Sequence, residues 1–135
     1  MALAATEREL RDVLAGTAFT REYGFILESV GEGQCTLAVP FRENFERPGG
    51  VVRGQVFMAA ADVAKWLAIK TRLGLADRSV TAEMKTNFLS GARREGFRCT
   101  AKILKLGKRL VYGVAECLGP DGRRLTHSTI TYARP

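Results

Sequence analysis

Residues 54–73, GQVFMAAADVAKWLAIKTRL, constrain the fold more than any other part of this chain. Gly54 opens the stretch and Gly74 closes it, which is the punctuation of a helix. It is rich in alanine and apolar nearly all round at its start. A helix lying on a surface needs only one apolar stripe; one that is apolar around its girth must be surrounded by protein. The remaining residues therefore have to supply a wrapping.

That wrapping reads as sheet. Four strand-like runs follow the helix, at residues 79–89, 96–106, 110–118 and 124–133. They are separated by SGARRE, by Gly107-Lys108 and by the turn Gly119-Pro120-Asp121-Gly122. Links this short favour antiparallel pairing. In the first run Val80, Ala82, Met84, Thr86 and Phe88 alternate with polar residues, which predicts a face packed on the helix. Upstream, residues 25–30 and 34–40 read as two strands around Gly31-Glu32-Gly33. Residues 41–53 form a polar, glycine-rich loop. Residues 5–14 carry a capping box, Thr6 with Glu9, and predict a short amphipathic helix ending at Gly16. The simplest assembly is an α+β domain over residues 1–135, with a helical segment at 1–20 and a six-stranded antiparallel sheet curled around one long helix. A chain of 135 residues can bury enough surface to need no metal or disulfide staple.

Charge is distributed unevenly. Residues 1–90 hold 11 Lys/Arg and 11 Asp/Glu, whereas residues 91–135 hold 10 and 3, so the net +7 lies wholly in the last third. A localised basic field suits a phosphate-bearing partner such as nucleic acid or a nucleotide-tailed cofactor. Aromatics do not interleave with these basic residues as a stacking platform would require, which argues against nucleic acid. No apolar run approaches the ~18 residues of a membrane span, and the first residues do not have the pattern of a signal peptide. Cys35, Cys99 and Cys117 are far apart with no C-x-x-C pair, so they are expected to be reduced thiols of a cytoplasmic protein.

No motif for a catalytic metal is present, and no metal is expected. His127 is the only histidine; there is no H-E-x-x-H and no G-x-S-x-G elbow. The constellation that carries chemistry is RPGGVVRGQVFMAAADVAKW, residues 47–66. Gly49, Gly50 and Gly54 let backbone approach a ligand. The helix start at Gly54-Gln55 presents free N–H groups at a positive dipole end, where an oxyanion can be held. Asp62 is a lone carboxylate in a helix interior that disfavours it. It lies about 12 Å from the helix start along the same axis, so the two cannot meet on one acyl group within one subunit. A symmetric dimer could bring them together. The ordinary alternative for Asp62 is an ion pair with Lys65.

This segment resembles the hot-dog-fold thioesterases of the phenylacetate-degradation (PaaI-like) type. Arg53-Gly54-Gln55 stands where that family has H-G-G, and Ala61-Asp62-Val63-Ala64 matches its A-D-x-A step. The resemblance extends through VTAEMKTNFLSGA, AKILKLGKRLVYGVAE and GPDGRRLTHSTITYARP, and covers about residues 20–135. It implies a hot-dog fold and hydrolysis of acyl-CoA-type thioesters, with CoA entering as part of the substrate and no other cofactor. It implies Asp62 as general base or nucleophile, with the N–H groups of Gly54 and Gln55 polarising the carbonyl. It further implies substrate contacts from Gly49, Gly50, Arg53 and Asn87, and contacts from Arg93, Arg94, Lys108 and Arg109 to the CoA tail. Its members are dimers or dimers of dimers with sites at subunit interfaces. The sequence departs from the family where Arg53 replaces the histidine, Gln55 the second glycine and Arg47 the asparagine. Arginine cannot serve as a neutral acid or base, though it can clamp an anion. The alternative function is a non-catalytic module that binds acyl-CoA.

Overall fold

The computed structural model describes residues 2–135. Helix α1 (Glu7–Gly16) has the expected capping box: Glu9 N donates to Thr6 Oγ1 at 3.2 Å and Thr6 N donates to Glu9 Oε1 at 2.9 Å. A second helix, α2 (Ala18–Tyr23), follows and ends on Gly24 in the left-handed region. The sequence does not announce α2. It is six residues long, and its N-cap Thr17 makes no side-chain capping bond. What holds it is partly tertiary, with the buried Thr20 hydroxyl donating to Leu14 O at 2.6 Å.

Strands β1 (Ile26–Gly31) and β2 (Gln34–Val39) form the expected hairpin. The segment expected to be loop holds a 3-10 turn (Glu43–Phe45) and a small hairpin of β3 (Glu46–Arg47) and β4 (Val51–Val52). Gly49 and Gly50 turn this hairpin with φ of 103° and 82°, conformations that glycine adopts without strain. Helix α3 (Gly54–Leu73) comes next, then β5 (Val80–Phe88), β6 (Phe97–Leu106), β7 (Leu110–Leu118) and β8 (Arg124–Ala133). The sheet is antiparallel throughout, in the order β1-β2-β6-β7-β8-β5. A six-stranded antiparallel sheet wrapped on one long helix is the hot-dog fold.

Helix α3 is buried along most of its length, including Val56, Phe57, Ala60, Ala61, Val63, Ala64, Leu67, Ala68 and Ile69. Burying each of the larger side chains contributes roughly 1.5–3 kcal/mol. The alanines do different work, letting the sheet close in on the helix backbone. The three cysteines are buried free thiols on the inner face.

Two features differ from the sequence reading. Strand β5 is the sheet edge; Met84 at its middle packs on the core, but the apolar residues at its two ends are not covered, Val80 being 64% exposed and Phe88 54%. Lys65 is fully buried. Its ammonium donates to Ile130 O at 2.6 Å and to Val111 O at 3.3 Å, and it forms no ion pair with Asp62 among the described residues. Gly113 opens the space for this lysine. A Cβ there would lie 2.9 Å from Lys65 Cε and 2.3 Å from Lys102 O. The second contact is with backbone and cannot be relieved by a side-chain turn. Gly113→Ala is therefore expected to destabilise the protein by about 1–3 kcal/mol through overpacking. Urea denaturation checks this, and an unchanged midpoint would show that the strands can part without cost.

Candidate active site

The start of α3 is built to leave donors free. Its N-cap is Arg53, a side chain with no hydrogen-bond acceptor, and no capping bond forms. The N–H groups of Gly54 and Gln55 have no backbone partner among the described residues. Arg53 itself is turned to the preceding loop: its backbone N donates to Phe45 O at 2.8 Å, and its guanidinium donates to Asn44 O. It does not line the clefts at the helix start. Gly54 has no side chain because Phe88 stands against it, with a Cβ there falling 3.0 Å from Phe88 Cε1. A cleft of about 460 Å³ opens beside this point, lined in part by Arg47, Gly54, Phe57, Phe88 and Gly91. A neighbouring cleft adds Gln55 and Met58. Arg47, where the resembling family has asparagine, thus faces the helix start.

Asp62 lies two turns along α3 in a separate cleft of about 340 Å³, with Phe19, Val63, Trp66, Ser79, Val80, Thr81 and Tyr132. Its Oδ1 accepts from Thr81 Oγ1 at 2.7 Å and from Tyr132 OH at 2.9 Å. Tyr132 OH also lies 3.0 Å from Asp62 O. Asp62 Oδ2 has no hydrogen-bond partner among the described residues. One carboxylate oxygen is fixed in the fold, the other is left without a protein partner, and the residue lines an opening that includes the tilted Phe19–Trp66 pair, with centroids 6.0 Å apart. A further opening of about 380 Å³, lined in part by Pro40, Phe97, Arg98 and Pro120, has Glu28 as its carboxylate, and that is already paired with Arg98.

The remaining sequence-picked residues scatter. Arg93 Nη1 donates to Gly49 O at 3.0 Å and so holds the glycine turn. Arg94 pairs with Glu46 at 2.9 Å and lies over the Phe41 ring. Both tie the loop after β5 to the β3–β4 hairpin. Lys108 and Arg109 sit in the β6–β7 turn, at the opposite end of the sheet. One chain therefore does not gather the four cations into one patch. Asn87 lies opposite His127 in the β5–β8 register, in the opposite alternation to the Thr86–Ser128 pair. Ser128 is buried and its hydroxyl is 2.8 Å from that of Thr86, so the Asn87 side of the strand faces away from α3 and from Asp62.

Thr81, Tyr132 and Phe19 were not picked from the sequence. Tyr132 shares the inward parity of Ile130 and Ser128 on β8, but only the long-range register places its hydroxyl on Asp62.

Burial pushes the Lys65 ammonium down to about 8 from its ordinary 10.5, with the Asp62 carboxylate acting in the opposite direction. The folded value lies below the unfolded one. Below about pH 8 both states hold the proton, and the cost of burying the charge is constant. Between about 8 and 10.5 the unfolded chain keeps the proton and the folded chain releases it, so this residue's contribution to stability rises with pH. Comparison with Lys65→Met cancels the opposing effect of Cys35, whose thiol burial pushes up, and of Cys99, whose thiol is pushed up by its hydrogen bond with Cys117 and by burial. The stability difference should shift toward wild type by about 1–3 kcal/mol between pH 7 and pH 10.5. Denaturation curves across that range measure it; a flat difference would mean that the buried amine keeps its ordinary affinity for the proton.

Comparison with known proteins brings a family to this geometry. Residues 49–126, which include both the helix start and Asp62, match the thioesterase superfamily. A protein of Saccharolobus solfataricus assigned as an esterase is 33% identical over 92 residues, which span 68% of this chain and 65% of that protein. A thioesterase of Haemophilus influenzae superposes with a TM-score of 0.88 over 98% of this chain and 94% of that one, at 20% identity. A hypothetical thioesterase of Streptococcus pneumoniae, solved with coenzyme A, superposes with a TM-score of 0.75 over 82% and 85% of the two chains, at 14% identity.

Proposed function

Because this chain belongs to the thioesterase superfamily, we propose that it hydrolyses acyl-CoA-type thioesters at a site completed by a second copy of itself. The observation that carries this reading is the layout of the edge strand β5. Thr81, near its start, holds Asp62; Phe88, at its end, stands against Gly54. The strand is unpaired on one side and the apolar residues at its two ends, Val80 and Phe88, are exposed. Two copies of β5 pairing antiparallel about their midpoint, near Met84 and Lys85, would set Thr81 of one subunit beside Phe88 of the partner subunit. That operation brings Asp62 next to Gly54 of the partner subunit and removes the separation of about 12 Å within one chain. It covers Val80 and Phe88 and satisfies the open strand edge. It also turns the Lys108–Arg109 end of one subunit toward the Arg93–Arg94 end of the other, so the scattered cations of the two subunits meet at each end of the paired strands.

In this arrangement the thioester carbonyl lies between Asp62 and the free N–H groups of Gly54 and Gln55 of the partner subunit. Asp62 Oδ2 takes a proton from water as the water oxygen attacks the carbonyl carbon. The developing oxyanion accepts from the two N–H groups. The intermediate then collapses, the C–S bond breaks, and the sulfur leaves as thiolate and is protonated, giving a carboxylic acid and a free thiol. Direct attack by Asp62 on the carbonyl, followed by hydrolysis of the anhydride, uses the same groups and gives the same products.

Asp62→Asn keeps the size of the side chain and removes the base. It should cut kcat by about 10²–10⁴-fold while folding and assembly persist. Turnover at the wild-type rate would end the mechanism and promote the acyl-CoA-binding module in its place. Light scattering at micromolar concentration should give a dimer or a dimer of dimers, and a monomer would sink the shared site. For the cations, Lys108→Ala with Arg109→Ala should raise KM for acyl-CoA with a smaller effect on kcat, and should leave KM for an acyl-pantetheine unchanged. Equal effects on both substrates would remove these residues from the CoA tail.

A further inference from the structure

We propose that Tyr132 is a positioning residue, whose hydroxyl locks the Asp62 carboxylate with Oδ1 held in the fold and Oδ2 presented to the cleft. The inference rests on the reading of Asp62 above and adds a residue that the motif of residues 47–66 does not contain. The Tyr132 hydroxyl lies 2.9 Å from Asp62 Oδ1 and 3.0 Å from Asp62 O, so one group bridges the side chain and main chain of the same residue. That bridge restricts both side-chain torsions of Asp62, which would otherwise be free to rotate at a helix surface. Thr81 supplies a second hydroxyl to the same Oδ1, at 2.7 Å. With two donors on Oδ1, the oxygen left to take a proton or attack a carbonyl is Oδ2.

The tyrosine is well placed to hold rather than follow. It is 3% exposed, and its backbone is paired on both sides, opposite Thr81 on β5 and Val111 on β7. The buried Lys65 ammonium lies 5.6 Å from its ring centroid and donates to Ile130 O, two residues earlier on the same strand. Helix, lysine, tyrosine and carboxylate are thus coupled through β8. Burial, with the Asp62 charge, pushes the phenol far above its ordinary range, so the hydroxyl keeps its proton and remains a donor. A group that never ionises cannot itself serve as the base. Its contribution is geometric, and a carboxylate held in one orientation needs less reorganisation on the way to the transition state.

Tyr132→Phe removes the hydroxyl and leaves the ring. Steady-state kinetics on the best substrate from a panel of short, long and aromatic acyl-CoAs should show kcat lowered roughly ten- to a hundredfold, with KM nearly unchanged. In an Asp62→Asn background the same substitution should lower kcat no further, because the group it positions has lost its function. A wild-type kcat for Tyr132→Phe, with Asp62→Asn inactive, overturns the proposal and leaves the Asp62 reading standing. An active Asp62→Asn overturns the reading beneath it. Equal losses in both backgrounds mean that Tyr132 acts independently of Asp62, which also overturns the proposal. A crystal structure of Tyr132→Phe gives a readout without activity: the Asp62 carboxylate should turn or spread over several rotamers, and an unchanged orientation refutes the lock.

Discussion

The close approach of α3 to the sheet is the constraint on which the other features depend. Ala60, Ala61, Ala64 and Ala68 are all fully buried on that helix. Their small side chains bring the helix backbone near the strands, leaving little room for ordinary residues at the contact. Lys65 nevertheless enters the same layer. It is accommodated because Gly113 has no Cβ at the point where the lysine stem passes, and because two strand carbonyls receive the ammonium. A buried lysine bonded to carbonyls rather than to a carboxylate is costly compared with an apolar residue of similar size. What the arrangement gains, at neutral pH, is a positive charge one helical turn from Asp62 and against the ring of Tyr132, in the part of the core that underlies the cleft.

The same sheet leaves its work unfinished at β5. Among the strands it alone combines a free edge next to the functional helix with exposed apolar residues at both ends. Its start holds the Asp62 side of the chemistry through Thr81, and its end borders the free N–H groups at Gly54. A rigid helix keeps those two ends apart by its own rise per residue. No local rearrangement of one chain can close that distance without unwinding α3. The chemistry and the uncovered strand therefore pose one geometric problem, and the antiparallel partner strand proposed above would solve both parts at once.

Much of this was legible in the sequence. The boundaries of the long helix and the succession of the six main strands along the chain followed from punctuation and alternation, which are local signals. Thr6 and Glu9 announced their capping box because the whole interaction is contained within four residues. Where an interaction spans the chain, the local signal failed. Lys65 at i+3 from Asp62 looked like its ion-pair partner, yet the side chain turns inward to β7 and β8. Arg93 and Arg94, which the resemblance assigns to the CoA tail, bond within one chain to Gly49 O and Glu46 across more than forty residues, a pairing no local signal announces. The apolar face of β5 was visible in the alternation, but that the strand lies at a sheet edge, with Val80 and Phe88 left exposed at its two ends, depends on the strand order. Tyr132 is the sharpest case: seventy residues separate it from Asp62, and only the register of β8 brings the two together.

The substitution of arginine at the helix start becomes less puzzling in this setting. A histidine in the loop before α3 would offer a side chain that can act in acid–base chemistry; Arg53 cannot, and its guanidinium is directed to Asn44 O instead. Together with the Arg53 N to Phe45 O bond, it clamps the 3-10 turn to the first residue before the helix. The helix start is thereby held in place by a residue that takes no part in capping it, and its N–H groups stay unclaimed. Such donors suit a charge that exists only in the transition state. They are oriented before the reaction begins, carry no titrating group, and need no movement as the carbonyl oxygen becomes negative. In the mechanism proposed above, polarisation belongs to the backbone and all proton chemistry at the acyl carbon falls on a single carboxylate. The orientation of Asp62, and hence the hydroxyls that fix it, then matters more here than in a site where a neighbouring histidine can share the task.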